Sequence, residues 1–257
     1  MNTESIAKWF AALVFALAAI SFVEAQPKYE KQKLARVRMD LGLALYDSAK
    51  YEESVALFRE ATLLDSSDPT AYLNLACSLY HAGRLDEAKS VSIKAVELAP
   101  GSSKTLNMLG VLYSATGRDD EALTIFEKAK TLPPEFAGKY SNLGAIYVRL
   151  GRYREAIDVL KLAERRDNKN AETYLNLAYA VSKLKKYREA IDYTRKAAVL
   201  IPDDPLPRYM MGRLYLCLSD KASAKQVYEW LLSSNSEMAR KLYFAIHADR
   251  LVDVSEP

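Results

Sequence analysis

The chain has 257 residues, half of them apolar and 27% charged, which excludes a disordered polymer and leaves room for a sizeable core. Nine glycines and nine prolines are too few for the many turns of an all-β fold, whereas the strong helix formers Ala, Leu, Glu, Lys and Arg are plentiful. A net charge of +3 is too mild to argue for nucleic acid.

The first predicted element is an apolar run from Trp9 to Val23, preceded by Lys8 and followed by Ala25, Gln26 and Pro27. As a helix it covers about 22 Å at ~1.5 Å per residue, short of the ~30 Å core of a bilayer. Residues 1–25 therefore read as a cleavable signal peptide. The alternative is an uncleaved membrane anchor, because Glu4 offsets Lys8 and weakens the positive N-terminal region. No cysteine follows the run to carry a lipid. Both readings place residues 26–257 outside the cytosol.

From about residue 35 the sequence repeats. Gly42, Ala76, Gly110, Gly144, Ala178 and Gly212 form a series of small residues at a constant interval of 34. Ala88, Ala122, Ala156, Ala190 and Ala224 form a second, with Ser54 one period earlier. A third runs through Ala61, Ala95, Ala129, Ala163 and Ala197, then breaks at Leu231. Phased series of this length, without insertion or deletion, define six repeats ending near residue 236.

Each period holds two helical patterns. Tyr140, Leu143, Gly144, Tyr147 and Val148 share one face of a helix that Gly151 ends, as Gly83 and Gly117 do in neighbouring periods. Ala156, Ile157, Leu160 and Ala163 share a face of the next helix. Pro100, Pro134 and Pro202 end second helices, since proline lacks the amide and clashes with the preceding turn. The small residues mark the closest crossings of paired helices, where a bulkier side chain would hold the backbones apart. One hairpin cannot cover its own apolar face, so stacking builds the core. After the sixth repeat, Met238, Leu242, Ala245 and Ile246 predict an amphipathic capping helix over 237–252, with a tail to 257, and residues 29–38 extend the first helix at the other end.

Units such as Thr173-Tyr174-Leu175-Asn176-Leu177-Ala178 followed by Tyr187-Arg188-Glu189-Ala190-Ile191 resemble the tetratricopeptide repeat (TPR). The resemblance covers residues 26–236, with atypical first and last units. It implies an all-α, right-handed superhelical solenoid of six helix–turn–helix TPR units with a C-terminal capping helix. It also implies a concave groove lined by the first helices. The groove stripe would include Met39, Leu43 and Tyr46; Leu73, Cys77 and Tyr80; Asn107 and Val111; Val148 and Arg149; Leu175, Tyr179 and Lys183; and Tyr209 and Arg213. Asn74, Asn142 and Asn176 each stand two residues before the small slot. An amide both donates and accepts, so such asparagines can hold an extended peptide by its main chain, with tyrosines supplying apolar area. A competing reading has the asparagines merely tie adjacent helices.

The expected partner is a protein or peptide. Residues 51–100 carry eight acidic and four basic residues, a net of −4, whereas residues 149–196 carry thirteen basic and seven acidic, a net of +6. The basic half, with Arg149 and Lys183 near the groove, would steer an acidic partner. The chaperone-binding subset of the family clamps a terminal carboxylate, but Met39 and Leu43 stand at the first-unit clamp positions and cannot do so.

No catalytic, metal or cofactor site is expected. His81 lies at a helix end, where it complements terminal carbonyls, and His247 has no cysteine or acid at ligand spacing. Cys77 and Cys217 stand four repeats apart and are expected to be free thiols, since a disulfide needs Cα atoms within ~7 Å. The favoured function is a non-catalytic scaffold or adaptor in the periplasm or a secretory lumen. The alternative is an accessory subunit of an envelope or secretion assembly, held by the N-terminal segment, and membrane contact belongs to that reading alone.

Overall fold

The computed structural model describes residues 28–133 and 138–247. The signal-peptide or anchor reading of residues 1–25, the helix stop at Pro134 and the tail after His247 lie outside them. Thirteen α-helices and no strand are found among the described residues. They pair as α1 (Lys28–Asp47) with α2 (Tyr51–Leu64), α3 (Pro69–His81) with α4 (Leu85–Leu98), and α5 (Ser103–Ala115) with α6 (Asp119–Thr131). Then follow α7 (Gly138–Arg149) with α8 (Tyr153–Arg166), α9 (Ala171–Lys183) with α10 (Tyr187–Leu200), and α11 (Pro205–Cys217) with α12 (Lys221–Ser234). The capping helix is α13 (Ser236–His247). Six helix–turn–helix units and a cap are what the period predicts.

Side-chain caps start several of these helices. Asp68, Asn170 and Asp204 accept from the amides of Thr70, Thr173 and Leu206 at 2.8–3.0 Å, satisfying donors that the first turn leaves open. Each turn between paired helices places one residue in the left-handed region. Gly83, Gly117 and Gly151 adopt φ of +77°, +74° and +72° there, and Ala49, Lys185 and Ser219 occupy the equivalent positions at +57° to +60°. The turn geometry is thus shared by all six repeats, and only three of them supply the residue that adopts it without a Cβ clash.

The chain divides into two compact units, Met1–Leu112 and Tyr113–Pro257. In the first, α1 packs on α2, α2 on α3 and α3 on α4. Phe58, Leu75, Ala76, Leu79 and Ala88 form its core with Met108 and Leu112 of α5. Gly42 is needed here, because a Cβ at this position would stand 2.7 Å from the Phe58 ring.

In the second unit each helix from α6 to α13 packs on its successor, and the first helices α7 and α9 touch directly. A Cβ at Gly144 would come within 2.4 Å of Leu160 Cγ, so the small slot is again a backbone approach. Leu231, where the third series breaks, is fully buried under the cap beside Leu242 and Ile246. A larger side chain fits there because a lone helix, not another hairpin, closes the stack.

Candidate functional site

Equivalent positions in successive repeats do not perform equivalent jobs, and this separates the ten predicted contact residues. In the first unit, Tyr46 and Tyr80 pack against the core. With Tyr51 they surround the His81 ring, which stacks on Tyr51 at a centroid distance of 5.0 Å and meets Tyr46 and Tyr80 edge-on. His81 does close α3 as expected, and its ring is also built into this aromatic cluster.

Asn74 is placed differently. It lines an open cleft of about 510 Å³ between α1 and the start of α3, with Met39 and Leu43 as its apolar part. Lys33, Arg36, Asp40, Asp65 and Asp68 complete a mixed-charge wall. Two of these acids already have structural work. Asp68 caps α3. Asp65 accepts from Ser67 Oγ at 2.6 Å and Gln32 Nε2 at 3.3 Å, and the Ser67 hydroxyl chiefly holds its carboxyl below the usual range.

In the second unit, Arg149, Asn176 and Tyr179 come together in an open cleft of about 570 Å³. Val148, Leu150, Leu175 and Met210 give it an apolar lining, and the Tyr153 ring meets Tyr179 edge-on at 6.3 Å. Arg149 is already committed: it pairs with Asp119 at 2.9 Å and donates to Ser114 Oγ at 2.7 Å. Lys183 lies with its ammonium 5.2 Å from the Tyr179 ring centroid, and no carboxylate among the described residues pairs with it. Arg213 is buried, with its guanidinium near the Tyr209 ring, and is the most enclosed of the predicted contacts.

The four asparagines split into two pairs. Asn107 and Asn142 are half-buried and have partners within the protein. Asn74 and Asn176 are also half-buried, yet neither amide has a hydrogen-bond partner among the described residues, and each lines a cleft. A half-buried amide facing an open cleft retains its full capacity to donate and accept.

Sequence reasoning missed Tyr153 and Met210 in the second cleft. The period contained a signal for the former, since Tyr51, Tyr153 and Tyr187 all begin second helices at the same register. It also missed Lys139, which is 1% exposed. Its ammonium donates to the carbonyls of Ala129, Leu132 and Pro133 at 2.7–3.2 Å, closing the C-terminal end of α6. Among the described residues no group of three or more His, Cys, Asp or Glu could hold a metal ion. Cys77 and Cys217 form no disulfide with each other, and burial pushes the Cys77 thiol up to about 11.

Tandem helical hairpins with small residues at their crossings define a helical-repeat solenoid. Known proteins specify its kind. Tetratricopeptide-repeat profiles match residues 34–62 and 67–134, and the profile of anaphase-promoting complex, cyclosome, subunit 3 matches residues 115–197. No curated protein matches the chain. Among solved structures it is similar to Pseudomonas aeruginosa pilF, with 20% identity and a TM-score of 0.73, covering 83% of this chain and 98% of that one. PilW, described as a widely conserved type IV pilus biogenesis factor, gives 18% identity and a TM-score of 0.75, over 81% and 98%. YrrB, described as a TPR protein with an unusual peptide-binding site, gives 20% and 0.60, over 72% and 97%. The chain is a tetratricopeptide-repeat protein.

Proposed function

We propose that this protein is a non-catalytic adaptor outside the cytosol, holding an extended peptide or a partner subunit against the cleft faces of its first helices. The observation that carries this reading is the Asn176 amide, without a hydrogen-bond partner among the described residues and set among apolar and tyrosine side chains in an open cleft. Asn74 repeats the arrangement in the first unit. An extended main chain is the ligand that both donates and accepts at regular intervals, and apolar walls exclude water from those bonds. YrrB supports peptide binding by a chain of this fold. The apolar Trp9–Val23 run supports export.

A photo-crosslinking residue at Leu175 tests this directly, with Asp192 on the outer surface of α10 as the comparison site. Discrete crosslinked partners from Leu175 and none from Asp192 are expected; the reverse would remove the cleft from consideration.

A second reading is favoured by likeness to PilW, a type IV pilus biogenesis factor: an accessory subunit of an envelope assembly, retained at the membrane by the N-terminal segment. No helix among the described residues is long and apolar enough to cross a membrane, and the anchor of this reading is the apolar run Trp9–Val23. N-terminal sequencing of the mature protein decides between them, with a start at Gln26 expected for the adaptor.

A further inference from the structure

We infer that the cleft of the second unit recognises an extended peptide carrying an apolar side chain and a carboxylate two residues apart. This rests on the adaptor reading and adds the chemistry of the ligand. The two cations of this cleft differ in how far they are already engaged. Arg149 is held by Asp119 and Ser114, so its charge is largely answered within the protein. Lys183 is not, because its recorded contact is the Tyr179 ring. The surrounding stretch, residues 149–196, carries a net charge of +6, which favours an anionic ligand group beside Lys183.

Spacing then follows from helix geometry. Tyr179 and Lys183 are four residues apart on α9, which is about 6 Å along a helix at ~1.5 Å per residue. An extended chain advances about 6.6 Å in two residues, and side chains two apart project to the same side. A peptide lying along α9 can therefore place an apolar side chain among Val148, Leu175, Tyr179 and Met210. Its second side chain on that side then reaches the Lys183 ammonium. Asn176, one turn before Tyr179 on α9, holds the main chain on the side of the apolar site away from Lys183. A cleft of about 570 Å³ lies within the ~300–1,000 Å³ range of sites that enclose small ligands.

The first unit's cleft carries a different preference. Its wall sets three carboxylates, Asp40, Asp65 and Asp68, against two cations, Lys33 and Arg36, and so favours an anionic peptide less.

The experiment uses the full mature chain and capped nine-residue fluorescent peptides in a Ser/Gly background. One carries Phe and Asp two residues apart, and controls replace Asp by Asn or Lys, replace Phe by Ala, or change the spacing to one or three. Fluorescence anisotropy should show the two-residue Phe/Asp peptide binding about fivefold more tightly than its Asn control, with the difference shrinking in high salt. Lys183→Glu should reverse the order of the Asp and Lys peptides, and Tyr179→Ala should weaken all Phe peptides alike. Equal binding of Asp, Asn and Lys peptides, lost in Asn176→Ala, would overturn this inference and leave the adaptor reading standing. If no peptide binds while Leu175 still crosslinks a partner, the ligand chemistry is wrong and the cleft is right. Failure of both removes the two together.

Discussion

The two units place different donors at one register position. In the first unit Thr105, 2% exposed, donates from its hydroxyl to the carbonyls of Ala99 and Ser102 at 3.1 Å. One period later, in the second unit, Lys139 reaches Pro133, the counterpart of Ala99, and also Ala129 and Leu132, with a buried ammonium. The backbone demand is the same, because the last carbonyls of a helix have no intrahelical donor. A neutral hydroxyl meets it locally, whereas a long cation meets three carbonyls but must be desolvated to do so. A repeat fixes what must be satisfied at a position; it leaves open which side chain satisfies it.

The largest expected effect tests that comparison. Lys139→Met keeps the volume and removes the charged donor, and should cost about 1.5–3 kcal/mol, the range for hydrogen bonds to charged groups. Thr105→Ala should cost about 1 kcal/mol, nearer the neutral value. Chemical denaturation of each variant measures both, and equal losses would show that the charge adds nothing.

The asparagines sharpen the contrast between cleft and core. Asn74→Ala and Asn176→Ala remove amides without internal partners and should leave the midpoint of unfolding nearly unchanged. Asn176→Ala should nonetheless weaken peptide binding by about 1 kcal/mol. Asn142→Ala removes a group with an internal partner, so its loss should appear in stability as well. A binding defect in Asn142→Ala with unchanged stability would move it from the tying pair to the contact pair.

Smaller still is the effect of Lys185→Gly. Lys185 takes φ +60° where Gly151 takes +72° one period earlier. Relieving a left-handed Cβ is worth ~1–2 kcal/mol, less ~0.5–1 kcal/mol for glycine's added freedom in the unfolded chain. A rise in Tm of about 2–4 °C per kcal/mol gained is expected for a chain of this size. The same change at Gly151, run backwards as Gly151→Lys, should lower it.

The last prediction concerns alkaline pH. Burial, aided by donation to the Glu127 carboxylate, pushes the Tyr147 phenol from 10 up to about 12. Below pH 10 both folded and unfolded chains keep this proton, and its contribution is fully present. Between pH 10 and 12 the unfolded chain releases it first, so stability falls as pH rises. Tyr147→Phe should flatten that part of a Tm-against-pH curve, and an unchanged slope would assign the alkaline loss to other groups.

By itself the sequence determined the repeat, its length, and the small residues on which the hairpins close. Gly42, Gly144 and Gly212 were legible because a backbone crossing tolerates few side chains, so the constraint returns every 34 residues. The turns at Ala49, Lys185 and Ser219 were not signalled by glycine, since stacking imposes a conformation those residues would not choose alone. The tertiary structure alone decided which groove candidates are spent and which are available. Asn142 and Asn176 share a register position, yet one amide is engaged and the other faces an open cleft with no internal partner. That difference lies in the surroundings of the two amides, which a periodic pattern does not specify.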